Sequence, residues 1–128
     1  MGLLEEAIQH FSKHKEFFKG LKPGSVMVIK IEGVGAYTVR VTSDDCLVYE
    51  GDESGQADII FVVSKEAEEE LIKEETVEGF GRKLIGYYLK PEGAKRVKIQ
   101  PKISLLDLSR KGYISWASKV GFKSILMR

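Results

Sequence analysis

Apolar residues recur with two different periods along this chain, and the changes of period mark the predicted elements. In residues 3–20 the apolar residues recur every three or four positions, which is typical of an amphipathic helix, and Gly20 is expected to end this helix. Residues 26–63 instead alternate apolar and polar positions in short runs, such as AYTVRVT at 36–42, between turns rich in Gly, Ser and Asp. This region predicts four strands that follow one another as a meander.

The second half of the chain returns to helical spacing and contains one further strand. Ser64 suits the N-cap of a helix, and residues 65–89 predict two short helices. Residues 95–101 alternate again and predict a fifth strand, while 104–120 predict one long final helix with a serine cap. The sequence therefore predicts a single α+β domain over residues 1–128, with a sheet of about five mostly antiparallel strands and helices packed on one face.

The composition is that of an ordinary globular protein, with 43% apolar and 30% charged residues. The single cysteine, Cys46, has no partner for an internal disulfide, and no apolar run approaches the roughly 18 residues of a membrane span. The first residues, MGLLEEAIQHF, carry acids where a signal peptide would carry positive charge. We therefore expect a cytoplasmic protein.

The net charge of +1 is unevenly distributed along the chain. Residues 1–78 contain 8 Lys/Arg and 17 Asp/Glu, whereas residues 79–128 contain 12 Lys/Arg and 2 Asp/Glu. Because the basic residues are dispersed and the aromatic Tyr88 and Trp116 share helical faces with leucines, we do not expect a nucleic-acid partner. Attraction between the two halves of one domain is the simpler interpretation, and transient contact of helix 3–20 with an anionic membrane surface is a further hypothesis.

Motifs for catalysis are missing from the sequence. The glycines of GVG at 33–35 join two strands and do not open a helix, so they predict a hairpin turn rather than a nucleotide-binding loop. Glu6, His10 and His14 lie four residues apart on one helical stripe, but no further metal ligand accompanies them and they are interpreted as a solvated edge. The glutamates of helix 65–75 are interpreted as a solvated face. We expect no catalytic residue, cofactor or metal, and hence no enzyme.

Three segments of the chain together follow the pattern of a known family: KIEGVGAYTVRV, ADIIFVVSKEAEEEL and KRVKIQPKISLLDLS. They resemble the sterol carrier protein (type two) lipid-transfer family, and the similarity spans roughly residues 24–121. The chain departs from the family pattern in TVEGFGRKLIGYYLKPEGA, which inserts a full aromatic helix, and in Pro101-Lys102, where a glycine is common. The resemblance implies the same α+β fold and a function without catalysis.

The function implied by the resemblance is binding or transfer of a fatty acyl chain, a sterol or another apolar molecule in a tunnel between sheet and helices. Each buried CH₂ of such a ligand contributes about 0.8 kcal/mol, so a wall of aliphatic and aromatic side chains suffices. The candidate wall residues come from the fourth strand, the middle helices and the final helix. They are Phe61, Leu71, Phe80, Leu84, Tyr88, Leu105, Tyr113 and Trp116.

A non-catalytic interaction module or a homodimer is the alternative hypothesis. Val26, Val28, Ile60 and Val62 point away from the face that the helices are expected to cover. If that second face is open, they form an apolar patch of the kind that marks a protein interface. Lipid binding and a homodimer are compatible with each other.

Overall fold

The chain folds into a five-stranded sheet with helices packed on one face, and this confirms the α+β prediction. The computed structural model describes residues 2–121. The elements, in chain order, are α1 (Leu3–Lys13), a 3₁₀ turn (Lys15–Phe18), β1 (Val26–Ile31), β2 (Gly35–Val41), β3 (Cys46–Glu50), a 3₁₀ turn (Ser54–Gln56), β4 (Ile59–Val63), α2 (Lys65–Leu71), α3 (Val77–Leu89), β5 (Val97–Pro101), α4 (Leu105–Arg110) and α5 (Tyr113–Val120). Within residues 2–121, no helix combines the length and the apolar character that crossing a membrane requires.

The strand order differs from the predicted meander. The order is β3-β2-β1-β4-β5, with β1 parallel to β4 and every other pair antiparallel. The physical reason lies in the two faces of each strand. β1 and β4 are apolar on both faces and belong in the centre of the sheet, whereas β3 exposes Leu47 and Glu50 and suits an edge.

The second face of the sheet is covered by the segment that joins β3 to β4. Ala57 packs there with Val28 and Ile60, and all three are buried. The segment is held by the hydroxyl of Thr38, which donates to the carbonyl of Gly51 at 2.9 Å. The prediction of an open apolar patch is therefore wrong: Val26, Val28 and Ile60 are buried and Val62 is half-buried.

The predicted helix 3–20 ends early. α1 stops at Lys13, and the chain tightens into the 3₁₀ turn that buries Phe17 and Phe18. The indole N–H of Trp116 donates to the carbonyl of Phe17 at 2.7 Å, so the turn is fixed by a residue 99 positions away. A contact between residues so far apart in the chain does not alter the local spacing of apolar residues.

The predicted final helix 104–120 is in fact two helices with a break at Gly112. This glycine has φ +88, a left-handed conformation that favours glycine. A Cβ on it would overlap the carbonyl oxygen of Gly20, so the backbones cross too closely for a side chain. The break lets α5 turn onto the sheet. The predicted serine cap is confirmed, because the Ser104 hydroxyl accepts from the N–H of Asp107 at 3.2 Å.

α5 also packs closely against α3, where Gly81 lies against Val120. A Cβ at Gly81 would overlap the Val120 carbonyl oxygen, whereas one at Gly86 on the same helix would meet nothing within 4 Å. We expect Gly81→Ala to lower the free energy of unfolding by about 2 kcal/mol, because overpacking outweighs the helix propensity that alanine gains. Gly86→Ala is the matched control and should raise it by up to about 1 kcal/mol. Urea denaturation of both variants checks this, and equal stabilisation by the two would contradict the close contact.

Candidate functional site

A small cavity lies in the core between the sheet and the helices. Its volume is about 20 Å³, roughly the space of one water molecule. Five of the eight predicted wall residues meet there, contributed by β4, α2, α3 and α5. They are Phe61, Leu71, Phe80, Leu84 and Trp116.

The other three predicted wall residues lie elsewhere. Tyr113 is fully buried, but its hydroxyl donates to Asp58 at 2.9 Å and does not line the cavity. Tyr88 is half-buried at the margin of the core, because the turn of α3 points Tyr87 inward instead. Leu105 is 44% exposed, since α4 is a separate short helix that buries Leu108.

The wall also includes residues that were not predicted, from the N-terminal segment and from β1 and β2. They are Phe11, Phe18, Met27, Ile29 and Tyr37. The alternation of β1 and β2 places Met27, Ile29 and Tyr37 on the helix-facing side, so this signal was present in the sequence. The contribution of Phe18 depends on the 3₁₀ turn, which the local pattern does not show.

Aromatic rings close the cavity on the side of α1 and α3. Phe80 lies edge-to-face with Phe11 at a centroid distance of 5.6 Å and stacks on Phe17 at 5.1 Å. Phe11 in turn stacks on Tyr37 at 6.0 Å. Such pairs contribute about 0.5–1.5 kcal/mol each beyond the area they bury, so this cover is well packed.

One carboxyl group interrupts the apolar wall. Glu68 is only 1% exposed and lines the cavity, with its Oε2 accepting from the hydroxyl of Tyr37 at 2.7 Å. The prediction that the glutamates of α2 are all solvated is therefore wrong for this residue. Glu68 stands next to Ala67 and three positions before Leu71, so it lies on the inward face of the helix.

The environment of Glu68 changes its protonation. Burial raises the pKa of this carboxyl from 4.5 to about 7, and the hydrogen bond from Tyr37 offsets part of that shift. Burial, followed by the charge of Glu68, raises the pKa of Tyr37 well above its usual range. Tyr37 therefore remains a donor, while Glu68 is present both as acid and as carboxylate near neutral pH.

A second buried carboxyl, that of Asp58, is bound in a different way. It is 2% exposed and accepts from the N–H of Val26 at 2.7 Å, the Nζ of Lys111 at 2.6 Å and the hydroxyl of Tyr113 at 2.9 Å. Burial and the adjacent carboxylate raise the pKa of Tyr113, which keeps that donor protonated. Asp58 thus joins the start of β4 to β1 and to the last two helices, which is a structural role.

His10 of α1 and His14, which directly follows the helix, pack against the ring of Phe17. His10 and His14 lie 5.8 and 5.5 Å from the ring of Phe17, and the His14 Nδ1 is 3.0 Å from Glu16. Both are half-buried, as is usual for positions that flank the apolar face of a helix. Burial, together with the neighbouring His14, lowers the pKa of His10. Residues 2–121 hold no group of three or more His, Cys, Asp or Glu arranged for a metal ion.

Comparison with known proteins assigns the chain to no family. A scan against family models gave no match, and a search of curated proteins found no relative. The resemblance to sterol carrier proteins therefore stays a prediction from the sequence. The cavity, its aromatic cover and its buried carboxyl are the features from which a function can be inferred.

Proposed function

We propose that the protein is a cytoplasmic binding or transfer protein for a lipid or another apolar small molecule, which it holds between the sheet and the helices without chemical conversion. The observation that supports this most directly is an apolar cavity in the core, to whose wall residues 2–121 contribute a single carboxyl–hydroxyl pair. Ligand sites in proteins have this composition, mostly apolar with a few polar groups that fix orientation. The single cysteine agrees with a reducing compartment.

The helical cover has to move for a ligand to enter. A volume of about 20 Å³ is far below the roughly 300–1,000 Å³ of pockets that hold drug-sized ligands. Entry therefore separates helices from the sheet, and the aliphatic and aromatic wall then gains about 0.8 kcal/mol for each ligand CH₂ that it buries.

α3 is the element best suited to move. It contributes Phe80 and Leu84 to the wall, and the segments on both sides of it, 72–76 and 90–96, are mostly exposed. Its sequence contains three glycines, which lower the intrinsic stability of a helix by roughly 0.5–1 kcal/mol each. Gly86 has open space around it, so neither close packing nor a left-handed backbone accounts for it.

The interaction-module alternative is less well supported. Its main argument was the second face of the sheet, where Val28 and Ile60 are covered by the chain itself. Within residues 2–121, the large apolar residues that remain exposed come from three separate elements and the turn between β1 and β2. They are Val34, Leu47, Leu89, Leu105 and Leu106.

Binding can be tested with the intrinsic fluorescence of the single tryptophan. Trp116 lines the cavity, so an alkyl ligand that enters should change its emission with a saturable dependence on concentration. Leu84→Phe narrows the cavity and should weaken binding about tenfold, a loss of about 1.4 kcal/mol. Leu89→Phe, on the exposed side of the same helix, is the matched control and should bind as the wild type does.

Native mass spectrometry of the purified protein gives an independent measurement. Co-purified lipid that is retained by the wild type and by Leu89→Phe, but reduced in Leu84→Phe, is the expected result. Thermal melting shows whether both variants are folded. A wild-type protein with a ligand-free mass and no saturable change of Trp116 emission would overturn the proposed function.

A further inference from the structure

We infer that Glu68 is the polar anchor of this site and selects apolar ligands whose one polar head group donates a hydrogen bond, a hydroxyl or an amine, over ligands that end in a carboxylate. The inference rests on the proposed function and specifies its ligand class. It follows from the position of Glu68 in the cavity wall and from the acceptor positions of its carboxyl, of which some are occupied and others are free.

The carboxyl of Glu68 has accepting capacity to spare. Its Oε2 accepts from Tyr37 at 2.7 Å, and residues 2–121 supply no other hydrogen-bond donor to it. A carboxylate has about four acceptor positions, so most of them are unused although the side chain is only 1% exposed. The bond from Tyr37 satisfies the group, and the acceptor positions that remain are open to a donor that a ligand brings.

Asp58 shows that the same fold can satisfy a buried carboxyl. That group receives three donors, from a backbone N–H, a lysine and a tyrosine, and it does not line this cavity. Glu68 receives one donor and does line the cavity. The difference between two equally buried carboxyls places the unused acceptor where a ligand in the proposed site would meet it.

The chemistry of the anchor decides which head group fits. A hydroxyl or an amine donates to the free positions of the carboxyl, and the alkyl part of the ligand remains against the apolar wall. A ligand carboxylate brings a second negative charge to a site of low polarity, where like charges repel strongly. Among the side chains of residues 2–121, only that of Tyr37 shifts the pKa of Glu68, so none of their positive groups offsets that repulsion.

Matched ligands test the selection. We propose titrating 1-decanol, decylamine and decanoate at about pH 8 into the wild type and following the emission of Trp116. The alcohol and the amine should bind about 10- to 100-fold more tightly than the acid, the factor that a hydrogen bond to a charged group provides. Glu68→Gln keeps the size of the side chain, and the ratio should then fall to within a few-fold.

Glu66→Gln is the control, because Glu66 lies on the exposed face of the same helix and the substitution should leave the ratio unchanged. If wild type and Glu68→Gln rank the three ligands alike, the anchor is disproved while the proposed function stands. If none of the three binds to the wild type, both proposals fail. Binding of the amine without the alcohol, lost in Glu68→Gln, supports the anchor and identifies the head group.

Discussion

Asp58→Ala is expected to lower the free energy of unfolding by about 3 kcal/mol, a large part of the stability of a domain of this size. The substitution leaves the Val26 N–H and the Tyr113 hydroxyl buried without an acceptor, and each such loss costs about 1–3 kcal/mol. The contribution of Lys111 is smaller, because its side chain is 38% exposed and water screens the pair. Urea denaturation followed by circular dichroism measures the change.

Two variants check the reason for this loss. Asp107→Ala removes an exposed carboxyl whose pairing with Arg110 is a surface contact of 3.6 Å, so it should change stability by no more than about 0.5 kcal/mol. Tyr113→Phe removes one of the three donors and should cost about 1 kcal/mol. A loss below about 1 kcal/mol in Asp58→Ala would show that the carboxyl does not hold the last helices to the sheet.

The elements of this fold were predictable because their periods are local properties. Alternation identified the strands, spacing of three and four identified the helices, and Ser64 and Ser104 act as the caps that their positions suggest. The order of the strands depends instead on which strands are apolar on both faces. That information was present in VMVI and IIFVV, and placing both runs at the centre of the sheet would have replaced the meander by the observed order.

Breaks inside the predicted helices depend on contacts between distant residues. Gly112 turns the chain because Gly20 passes against it, and the 3₁₀ turn around Phe17 is held by Trp116. Neither contact alters the local period of apolar residues. The sequence therefore predicted helical segments of the right type, and only the folded chain shows where each one ends.

The candidate site was predictable in its apolar part and not in its polar part. Phe61, Leu71 and Leu84 face inward because of their period, which is the same for a filled core and for the wall of a cavity. Glu68 lies within a run of glutamates whose other members are exposed or half-buried. Its position three residues before Leu71 was the only signal of burial in the sequence. The high glutamate content of the helix outweighed that signal when the segment was interpreted as a solvated face.

Glu68→Gln is expected to stabilise the protein increasingly as pH rises. The Glu68 pKa is about 7 in the folded chain against 4.5 for an unperturbed carboxyl, so between these values the folded state binds more protons than the unfolded state. The stability that Glu68 contributes is complete below about pH 4.5 and is lost as pH rises through about 7. The shift corresponds to about 3 kcal/mol, which the uncharged glutamine does not lose.

The measurement is urea denaturation of wild type and Glu68→Gln at several values between about pH 4.5 and pH 8. His10, whose lowered pKa adds stability as pH rises, is present in both proteins, so its effect cancels in the difference between them. That difference should grow by about 3 kcal/mol in favour of glutamine across the range. Glu66→Gln on the exposed face of α2 should show no such growth. A difference in unfolding free energy that does not depend on pH would mean that Glu68 ionises as readily in the folded chain as in the unfolded chain. The carboxyl would then be in contact with water rather than enclosed in the wall of the cavity.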